Sequence, residues 1–323
     1  MIIDEVGRRG TKVYGELTFD HAALAGLSWP YISIRGTADG PTVCVSAGMH
    51  GSEYAGITAA QRVAEELRPQ ALRGHAFILP LVNQPAFWAR AAAIVPLDGK
   101  NPSQVFPGRR DGTVTEVMAA YLFDEVFCRC DALVDLHGGD IMERLVPFTI
   151  FQETGNQDLD ARSQALAASY GLPIAVRRSK EVLKRQVPGY LQTAIAVRGI
   201  PSIVAEAGGE DQVKPDDVAA HISGLRGVLA HLGMIAGEAP RPALRLVEFV
   251  LVTAGQDGLF HRTADIGDRV QAGQVIGGLT DLWGRPLEDL RAPADAEVLF
   301  LSTSMAAKKG ALLFGLGKPV SGT

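Results

Sequence analysis

The sequence feature that most constrains the fold is an alternation of short apolar runs with longer segments of helical periodicity. Apolar runs rich in β-branched residues predict four buried strands, over residues 41–47, 75–82, 131–136 and 201–205. Apolar positions at helical spacing predict helices over residues 53–67, 113–128, 158–170, 189–198 and 215–233. This alternation indicates βαβ units, and therefore an α/β fold in which helices cover both faces of a parallel or mixed sheet.

Two segments of this region lack a clear period. Residues 1–40 contain short strand-like runs and turns, and residues 84–112 are rich in proline, glycine and asparagine. A loop as long as 84–112 inside a compact domain is usually functional. We therefore expect this loop to contribute to a site.

The pattern of apolar and turn-forming residues changes near Pro240. Beyond it, short Val, Leu and Ile runs are separated by Gly, Asp and Pro, and no helical period of useful length occurs. Such a pattern is typical of an all-β module. We predict an α/β domain over residues 1–240, a linker that begins near residue 240, and an all-β, barrel-like domain over residues 241–323.

The composition is that of an ordinary globular protein and argues against some classes of function. The net charge of -5 argues against a nucleic-acid partner, because phosphate binding needs a basic surface. No run approaches the roughly 20 apolar residues of a membrane helix, and the first residues lack the apolar core of a signal peptide. Cys44, Cys128 and Cys130 form no regular framework and are expected to be free thiols. We therefore expect a cytoplasmic protein.

Polar side chains follow the predicted strands at the points where the strands end. His50 and Glu53 follow the first strand, Asn83 the second and His137 the third, and Glu206 follows the fourth. Glycines adjoin most of these residues and let the backbone turn sharply. Because binding sites of open α/β sheets form at the carboxyl ends of the strands, we expect these residues to meet at one edge.

Two histidines and a glutamate in this setting point to a zinc site. Two neutral imidazoles and one carboxylate leave the fourth tetrahedral position open for water, as in carboxypeptidase A. Such a site also needs a carboxylate outside the ligand set to move protons, and Glu206 suits that role. The alternative is that each histidine is a hydrogen-bonded structural residue. The candidate residues lie at three separate strand ends, each flanked by glycine, and this shared setting favours the metal-site interpretation.

Three blocks of the sequence resemble the succinylglutamate desuccinylase/aspartoacylase family, relatives of the zinc carboxypeptidases. They are GMHGSEYAG at residues 48–56, DALVDLHGG at 131–139 and VAEAGG at 204–209. The likeness is spread over about residues 40–320, and the blocks keep the family's order and spacing. It implies a zinc carboxypeptidase-like α/β/α sandwich with a mixed sheet. It also implies a zinc-dependent amidohydrolase that removes an acyl group from an N-acyl amino acid or a similar small amide.

The resemblance also assigns roles to individual residues. It places zinc on His50, Glu53 and His137, and it makes Glu206 the general base that activates water together with the metal. Asn83, within LVNQPAF, matches a family block at a strand end.

One family block is altered in this chain. The family typically carries Asp-Gly-x-Asn-Leu-Asn-Arg-x-Phe-Pro-Gly, whereas residues 98–108 read DGKNPSQVFPG, so that Ser103-Gln104 replaces the Asn-Arg pair. That pair grips a substrate carboxylate in family members, and a further family arginine corresponds to Ala93. An arginine fork binds a carboxylate through two parallel hydrogen bonds. Its loss implies a neutral or cationic substrate, unless another arginine substitutes.

Polar residues in and beside the same loop are the candidates for substrate binding. Arg90, Arg109 and Arg110 are the candidate replacements for the missing arginine, although a solvated charge is the simpler interpretation of each. Asn83 and Asn101 complete the candidate set.

The C-terminal region resembles the β-domain of the same family, which is similar to a biotinyl/lipoyl barrel. The likeness rests on GDRVQAGQVIGGL followed by LRAPADAEV. Carrier domains need a lysine at a hairpin tip, but the matching point here holds Ser304-Met305-Ala306. We therefore expect a domain without a swinging cofactor, which caps the active site or pairs subunits.

The leading prediction is a zinc hydrolase that acts on a small-molecule N-acyl substrate, with no membrane partner. The altered block also allows a non-catalytic protein that binds a ligand or metal in the retained fold. A peptide carboxypeptidase is a further alternative, although such an enzyme usually needs an arginine for the C-terminal carboxylate of its substrate. The sequence leaves a homo-oligomer open.

Overall fold

The computed structural model describes residues 2–185, 189–239 and 243–320 and has the predicted α/β architecture. Its helices are α1 (Ile2–Glu5), α2 (Tyr54–Glu66), α3 (Gln84–Ala89), α4 (Val114–Glu125), α5 (Gln157–Tyr170), α6 (Leu191–Val197) and α7 (Pro215–His231). Its strands are β1 (Lys12–Leu17), β2 (Trp29–Arg35), β3 (Ala38–Ala47), β4 (Arg73–Leu79), β5 (Ala132–His137), β6 (Glu143–Leu145), β7 (Phe148–Gln152), β8 (Ile174–Arg178), β9 (Ser202–Glu206), β10 (Arg245–Thr253), β11 (Gly258–Arg262), β12 (Arg269–Val270), β13 (Val275–Thr280), β14 (Pro286–Arg291), β15 (Ala296–Ser302), β16 (Ala306–Ala307) and β17 (Leu312–Pro319).

Four parallel strands form the centre of the large mixed sheet. Strand β3 lies between β4 and β5, and β9 pairs with the other side of β5. These are the four strands that the apolar runs predicted. Strand β3 begins earlier than expected, at Ala38, and β4 stops at Leu79 rather than at residue 82. Pro80 accounts for the early stop, because it has no N–H to donate to a neighbouring strand.

Two helix layers cover the faces of this sheet. One core contains residues of α2, α5 and α7, and the other contains residues of α4 and α6. Strand β3 contributes to both, since alternate side chains of a strand point to opposite faces. Its Val43 and Val45 join the first core, and its Cys44 joins the second. A strand buried on both faces forms a continuous apolar run, which explains why the central strands were predictable.

Strands β6, β7 and β8 were not predicted. Strand β7 pairs antiparallel with β9 and parallel with β8, so these two strands extend the sheet beyond β9. Strand β6 has 3 residues, and β7 and β8 have 5 each. Strand β6 is too short for a period to stand out, and polar residues interrupt or end the apolar runs of β7 and β8, at Thr149, Gln152 and Arg177.

The predicted loop over residues 84–112 is partly helical. Helix α3 occupies its start, and a 3-10 turn covers Pro102–Gln104. Asn83 caps α3, because its side-chain oxygen accepts a hydrogen bond from the Ala86 N–H, and Pro85 lies in the first turn. A helix of 6 residues is too short to show helical periodicity, so only these capping residues carried a signal.

The C-terminal strands divide between two sheets. Strand β10 pairs in parallel with β8, so the large sheet continues from residues before 240 to residues after it. Strands β17, β15 and β12 extend that sheet, and β15 also pairs with β6. Strands β14, β13, β11 and β16 form a second, antiparallel sheet, and a separate apolar core lies in this region. The boundary at residue 240 stays a prediction, and residues 240–242 of the predicted linker lie outside the described residues.

The structure also bears on the membrane and cysteine expectations. None of the helices in the described ranges combines the length and the apolar character needed to cross a bilayer. Cys44 and Cys130 are buried, Cys128 is partly buried, and all three are free thiols.

A buried chain of hydrogen bonds ties α5 and α7 to the end of β9. Nε2 of His221 lies 3.1 Å from the carbonyl oxygen of Ala207, and Nδ1 lies 2.7 Å from the hydroxyl of Tyr170. A carbonyl can only accept, so Nε2 carries the proton and Nδ1 accepts from Tyr170. Burial lowers the pKa of His221 to about 4, which keeps the ring neutral. His221 therefore fixes the backbone beside Glu206.

We expect Tyr170→Phe to lower the free energy of unfolding by about 1–3 kcal/mol, because it leaves a buried acceptor on His221 without a donor. Urea denaturation followed by circular dichroism measures this change. Tyr14→Phe is the matched control, since Tyr14 is 64% exposed. Equal unfolding midpoints for Tyr170→Phe and the wild type would contradict this role of the hydroxyl.

Candidate active site

The residues predicted to form the site meet at one edge of the sheet. His137 is the last residue of β5, and it pairs in parallel register with Glu206, the last residue of β9. His50 and Glu53 lie in the turn that joins β3 to α2. Strands β3, β5 and β9 therefore bring all four side chains to the carboxyl end of the parallel sheet.

Two glycines allow the backbone to turn at these strand ends. Gly48 has a φ of 64°, a left-handed conformation that favours glycine, and it turns the chain directly after β3. A Cβ atom at position 138 would lie 2.5 Å from the carbonyl oxygen of Ala207, so Gly138 is required where β5 and β9 end side by side.

His50, Glu53 and His137 form a compact cluster of possible metal ligands. Nδ1 of His50 lies 2.6 Å from Oε1 of Glu53, and Nδ1 of His137 lies 2.9 Å from Oε2 of the same carboxylate. One ligand atom from each residue lies within 4.8 Å of the other two. Two imidazole nitrogens and a carboxylate oxygen in this arrangement could hold a metal ion.

The second nitrogen of His137 is held by a carboxylate. Nε2 of His137 lies 2.9 Å from Oδ2 of Asp135, and Oδ1 of Asp135 accepts a 2.6 Å hydrogen bond from the Ser46 hydroxyl. Nε2 donates to this carboxylate and Nδ1 is directed at Glu53; burial lowers the pKa of His137, but the two carboxylates outweigh it and raise the pKa well above its usual value. With a metal ion at Nδ1, the remaining proton would stay on Nε2. Asp135 was not among the predicted site residues. The strand alternation carried the signal, since residues two apart on β5 share a face.

The second nitrogen of His50 faces the loop that follows α3. Nε2 of His50 lies 3.1 Å from Oδ1 of Asn101 and 3.1 Å from Oγ of Ser103. Ser103 occupies the position of the family's missing asparagine, and in this chain it contacts a cluster residue. The loop predicted to be functional therefore reaches the site at these two residues.

The electrostatics of the cluster fit a cation. Burial alone would raise the pKa of Glu53, but the charges of His50 and His137 reverse this and lower it to about 2. Oε2 of Glu53 is nevertheless buried without a hydrogen-bond partner among the described residues, since its contact with His137 lacks hydrogen-bond geometry. An unpaired buried acceptor is costly. A cation between the carboxylate and the two rings would satisfy it.

Glu206 lies beside the cluster but outside its ligand set. Burial raises the pKa of Glu206 to about 8. The charge of His137 opposes that rise, and the charges of Glu53 and Glu143 reinforce it. A carboxyl group whose pKa lies near neutrality can both accept and donate a proton.

Two further carboxyl groups, Asp140 and Glu143, lie near the cluster. Burial raises the pKa of Glu143 to about 7, and the charges of Asp140 and Glu53 add to the rise. Burial also raises the pKa of Asp140. The Glu210 N–H donates to the carbonyl oxygens of both residues, at 2.9 and 3.1 Å, which shapes this segment. Neither carboxyl group was predicted, because no periodic pattern covers residues 138–146.

The structure brings two of the five candidate substrate residues close to the cluster. Asn101 contacts His50, as described above. Asn83 is fully buried, and its side-chain amide donates a 3.3 Å hydrogen bond to the carbonyl oxygen of Met49. Asn83 thus supports the turn that carries His50. Substrate contact by either asparagine stays a prediction.

The three candidate arginines are exposed or paired with carboxylates away from the His50, Glu53 and His137 cluster. Arg109 pairs with Asp111 at 3.1 Å, and Arg110 pairs with Asp124 at 3.0 Å. Arg90 is exposed and ends α3 in a left-handed conformation. Among the hydrogen bonds and ion pairs of the described residues, none joins these arginines to the His-Glu-His cluster. Their role in substrate binding stays a prediction.

The fold and the cluster together define an α/β protein of zinc carboxypeptidase-like architecture. Within that class, residues 39–232 match the family model described as the succinylglutamate desuccinylase/aspartoacylase catalytic domain. The match covers more than half of the chain, and the chain belongs to this family.

Individual relatives cover most of the chain. An N-alpha-acetyl-L-2,4-diaminobutyric acid deacetylase from Halomonas elongata is 29% identical over 269 residues, which are 81% of this chain and 77% of that protein. The product-bound structure of the ectoine utilization protein EutE (DoeB) from Ruegeria pomeroyi is 27% identical, with a TM-score of 0.85 and 96% coverage of both chains. A succinylglutamate desuccinylase/aspartoacylase from Rhodobacter sphaeroides is 26% identical, with a TM-score of 0.84 and 96% coverage of both chains. These relatives support acyl-amide hydrolysis as the broad class of activity.

We expect Asp135→Asn to weaken metal binding by about 10- to 100-fold, because the substitution removes the charge that orients His137 and raises its basicity. Competition with a chelating dye for added zinc measures the affinity. Asp131→Asn is the control, since Asp131 caps the Thr42 N–H just before β5, at the opposite end from the cluster. Wild-type affinity in Asp135→Asn would remove Asp135 from this role.

Proposed function

We propose that this protein is a zinc-dependent deacylase that hydrolyses the amide bond of an N-acyl amino acid. The observation that carries the proposal is the juxtaposition of two kinds of group. His50, Glu53 and His137 supply three ligand atoms within 4.8 Å of one another, and Glu206 pairs with His137 from the next strand. A set of possible metal ligands with an adjacent carboxyl group, whose pKa burial raises, suits hydrolysis of a carbonyl compound.

Nδ1 of His50, Nδ1 of His137 and the Glu53 carboxylate would hold the zinc ion. Nε2 of His137 donates a hydrogen bond to Asp135, and Nε2 of His50 faces Asn101. Both rings would therefore present their Nδ1 atoms to the metal. When bound, zinc lowers the pKa of water and polarises the carbonyl group of a substrate.

Glu206 moves the protons in this proposal. Its carboxylate takes a proton from the attacking water and later delivers that proton to the departing amine. The carboxylate form is favoured by positive charge nearby, and the carboxylic acid form is favoured by burial. Both forms are therefore accessible to Glu206 during one turnover.

The relatives and the charges of the site suggest an N-acetylated diamino acid as the substrate. The Halomonas elongata protein is named for deacetylation of N-alpha-acetyl-L-2,4-diaminobutyric acid, which carries a second amino group. The carboxyl groups of Asp140 and Glu143 lie near the cluster, where a cationic substrate group would favour their charged carboxylate form, and Gln104 replaces a family arginine. Opposite charges attract most strongly in a partly desolvated site. These features favour a protonated amino group on the substrate over a second carboxylate.

A cytoplasmic location, the absence of a nucleic-acid partner and a homo-oligomeric state stay predictions from the sequence.

We expect Glu206→Gln to keep its bound zinc and to lose about 10²- to 10⁴-fold in turnover, because glutamine cannot transfer protons. Amine release is measured on Nα-acetyl-2,4-diaminobutyric acid, N-acetylaspartate, N-acetylalanine, N-succinylglutamate and the dipeptide alanyl-alanine. Glu66→Gln, on the surface of α2, is the control and should keep full activity.

Three results would count against the proposal. Near-normal turnover in Glu206→Gln would exclude Glu206 as the base. Wild-type protein that binds zinc but releases no amine from any compound would favour a binding protein. Preferential cleavage of the dipeptide would favour a carboxypeptidase.

We expect His50→Ala to purify with far less than stoichiometric zinc, since a site with two remaining protein ligands binds the metal weakly. Elemental analysis of protein dialysed against zinc measures the content. His261→Ala is the control, because His261 bonds Thr280 in the C-terminal sheet. Stoichiometric zinc in His50→Ala would reject His50 as a ligand.

A further inference from the structure

Arg178, the last residue of β8, has surroundings unlike those of its neighbour Arg177. Arg177 pairs with Glu248 at 2.7 Å and lies 3.9 Å from a carboxylate oxygen of Glu153. Successive residues of a strand point to opposite faces, so Arg178 projects the other way. Its Cζ atom lies 4.0 Å from the centre of the Tyr190 ring, and the residue is partly buried.

Tyr190 connects Arg178 to the rim of the candidate active site. The preceding residue, Gly189, exchanges two backbone hydrogen bonds with Phe106, at 2.8 and 3.0 Å. Phe106 belongs to the same short segment as Ser103, which contacts His50. The stacked pair of Arg178 and Tyr190 therefore stands beside the loop that reaches the cluster.

The electrostatics agree with this placement. Burial lowers the pKa of Arg178, and its contact with the Tyr190 hydroxyl and then the charge of Glu206 partly oppose that effect, so Arg178 and Glu206 lie within range of one another's field. No carboxylate oxygen in the described parts of the chain lies within 4.0 Å of the Arg178 guanidinium. A desolvated charge without a counter-charge is costly. The arginine is thus available to an anion that the protein itself does not supply.

The altered family block leaves a substrate carboxylate without the arginine that binds it in the family. An N-acyl amino acid carries a free carboxylate, and Gln104 stands where the family has its carboxylate-binding arginine. Among the arginines considered from the sequence, Arg109 and Arg110 already pair with carboxylates on the surface.

We propose that Arg178 binds the free carboxylate of the N-acyl amino acid, with Tyr190 holding the plane of its guanidinium by stacking. This inference rests on the proposed deacylase function and adds the residue that selects substrates with a carboxylate. The guanidinium donates two parallel N–H bonds to the two carboxylate oxygens. The side chain acts on binding and orientation and takes no part in proton transfer.

The test compares one substrate with its uncharged analogue. The probes are the N-acetyl amino acid that the wild type hydrolyses fastest in the panel above, and the primary carboxamide of the same compound. For the acid, Arg178→Gln should raise KM and lower kcat/KM by about 10- to 100-fold, the range expected for a lost charge-assisted hydrogen-bond pair. For the carboxamide, kcat/KM should change less than about threefold, so the preference for the acid disappears.

Matched variants separate recognition from structural damage. Arg177→Gln changes the same residue type one position away and should keep the preference for the acid. Arg178→Lys keeps the positive charge but lacks the two parallel N–H donors, so it should retain part of the preference for the acid. Calorimetric titration of the acid into the Glu206→Gln protein measures binding without turnover. In the double variant Glu206→Gln/Arg178→Gln, binding of the acid should weaken, whereas binding of the carboxamide should not.

The outcomes distinguish this inference from the proposed function. Amine release by the wild type, combined with an unchanged acid-to-carboxamide ratio in Arg178→Gln, overturns the inference and leaves the deacylase intact. Loss of that ratio in Arg90→Gln but not in Arg178→Gln assigns the carboxylate to Arg90 and also overturns it. If the wild type neither binds nor hydrolyses any compound of the panel, the proposed function fails and the inference falls with it.

Discussion

The parallel register of β3, β5 and β9 is the constraint on which the candidate site depends. The register of β5 and β9 sets His137 directly beside Glu206. Strand β3, on the other side of β5, delivers His50 and Glu53 through one glycine turn. A shift of one residue would turn every side chain of a strand to the opposite face. Because these strands are buried on both faces, the packing of the two cores also holds the distances in the site.

The sequence predicts those parts of the fold whose residue pattern depends on neighbours within the same segment of chain. Buried central strands and glycines at their ends leave a clear pattern, so the positions of His50, His137 and Glu206 could be predicted. Asp135 had a signal as well, in the alternation along β5. Glu143 and Arg178 had none, because they belong to short strands whose places in the sheet depend on distant partners. Pairing of β6 with β15 and of β8 with β10 is decided by tertiary packing.

Four carboxyl groups lie close together at the candidate site. Glu53 is buried, Glu206, Asp140 and Glu143 lie partly buried near it, and burial raises the pKa of the last three. Part of the repulsion is relieved when these groups stay protonated. In the proposed function, a metal ion at the histidines and a positively charged substrate would relieve the rest. Such crowding lowers the stability of the folded protein, and in the proposed function it would favour the binding of positively charged ligands.

The pairing of β6 with β15 places strand β15 of the C-terminal region beside the candidate active site. Ser302 lies opposite Glu143 in that pairing, and the Thr303 N–H donates a 2.8 Å hydrogen bond to the carbonyl oxygen of Met142. An insertion or deletion after β15 would shift the Glu143 carboxylate while every ligand of the cluster stayed in place. Changes in the length of the C-terminal strands would therefore alter the surroundings of the candidate site, an effect that comparison of site motifs alone would overlook.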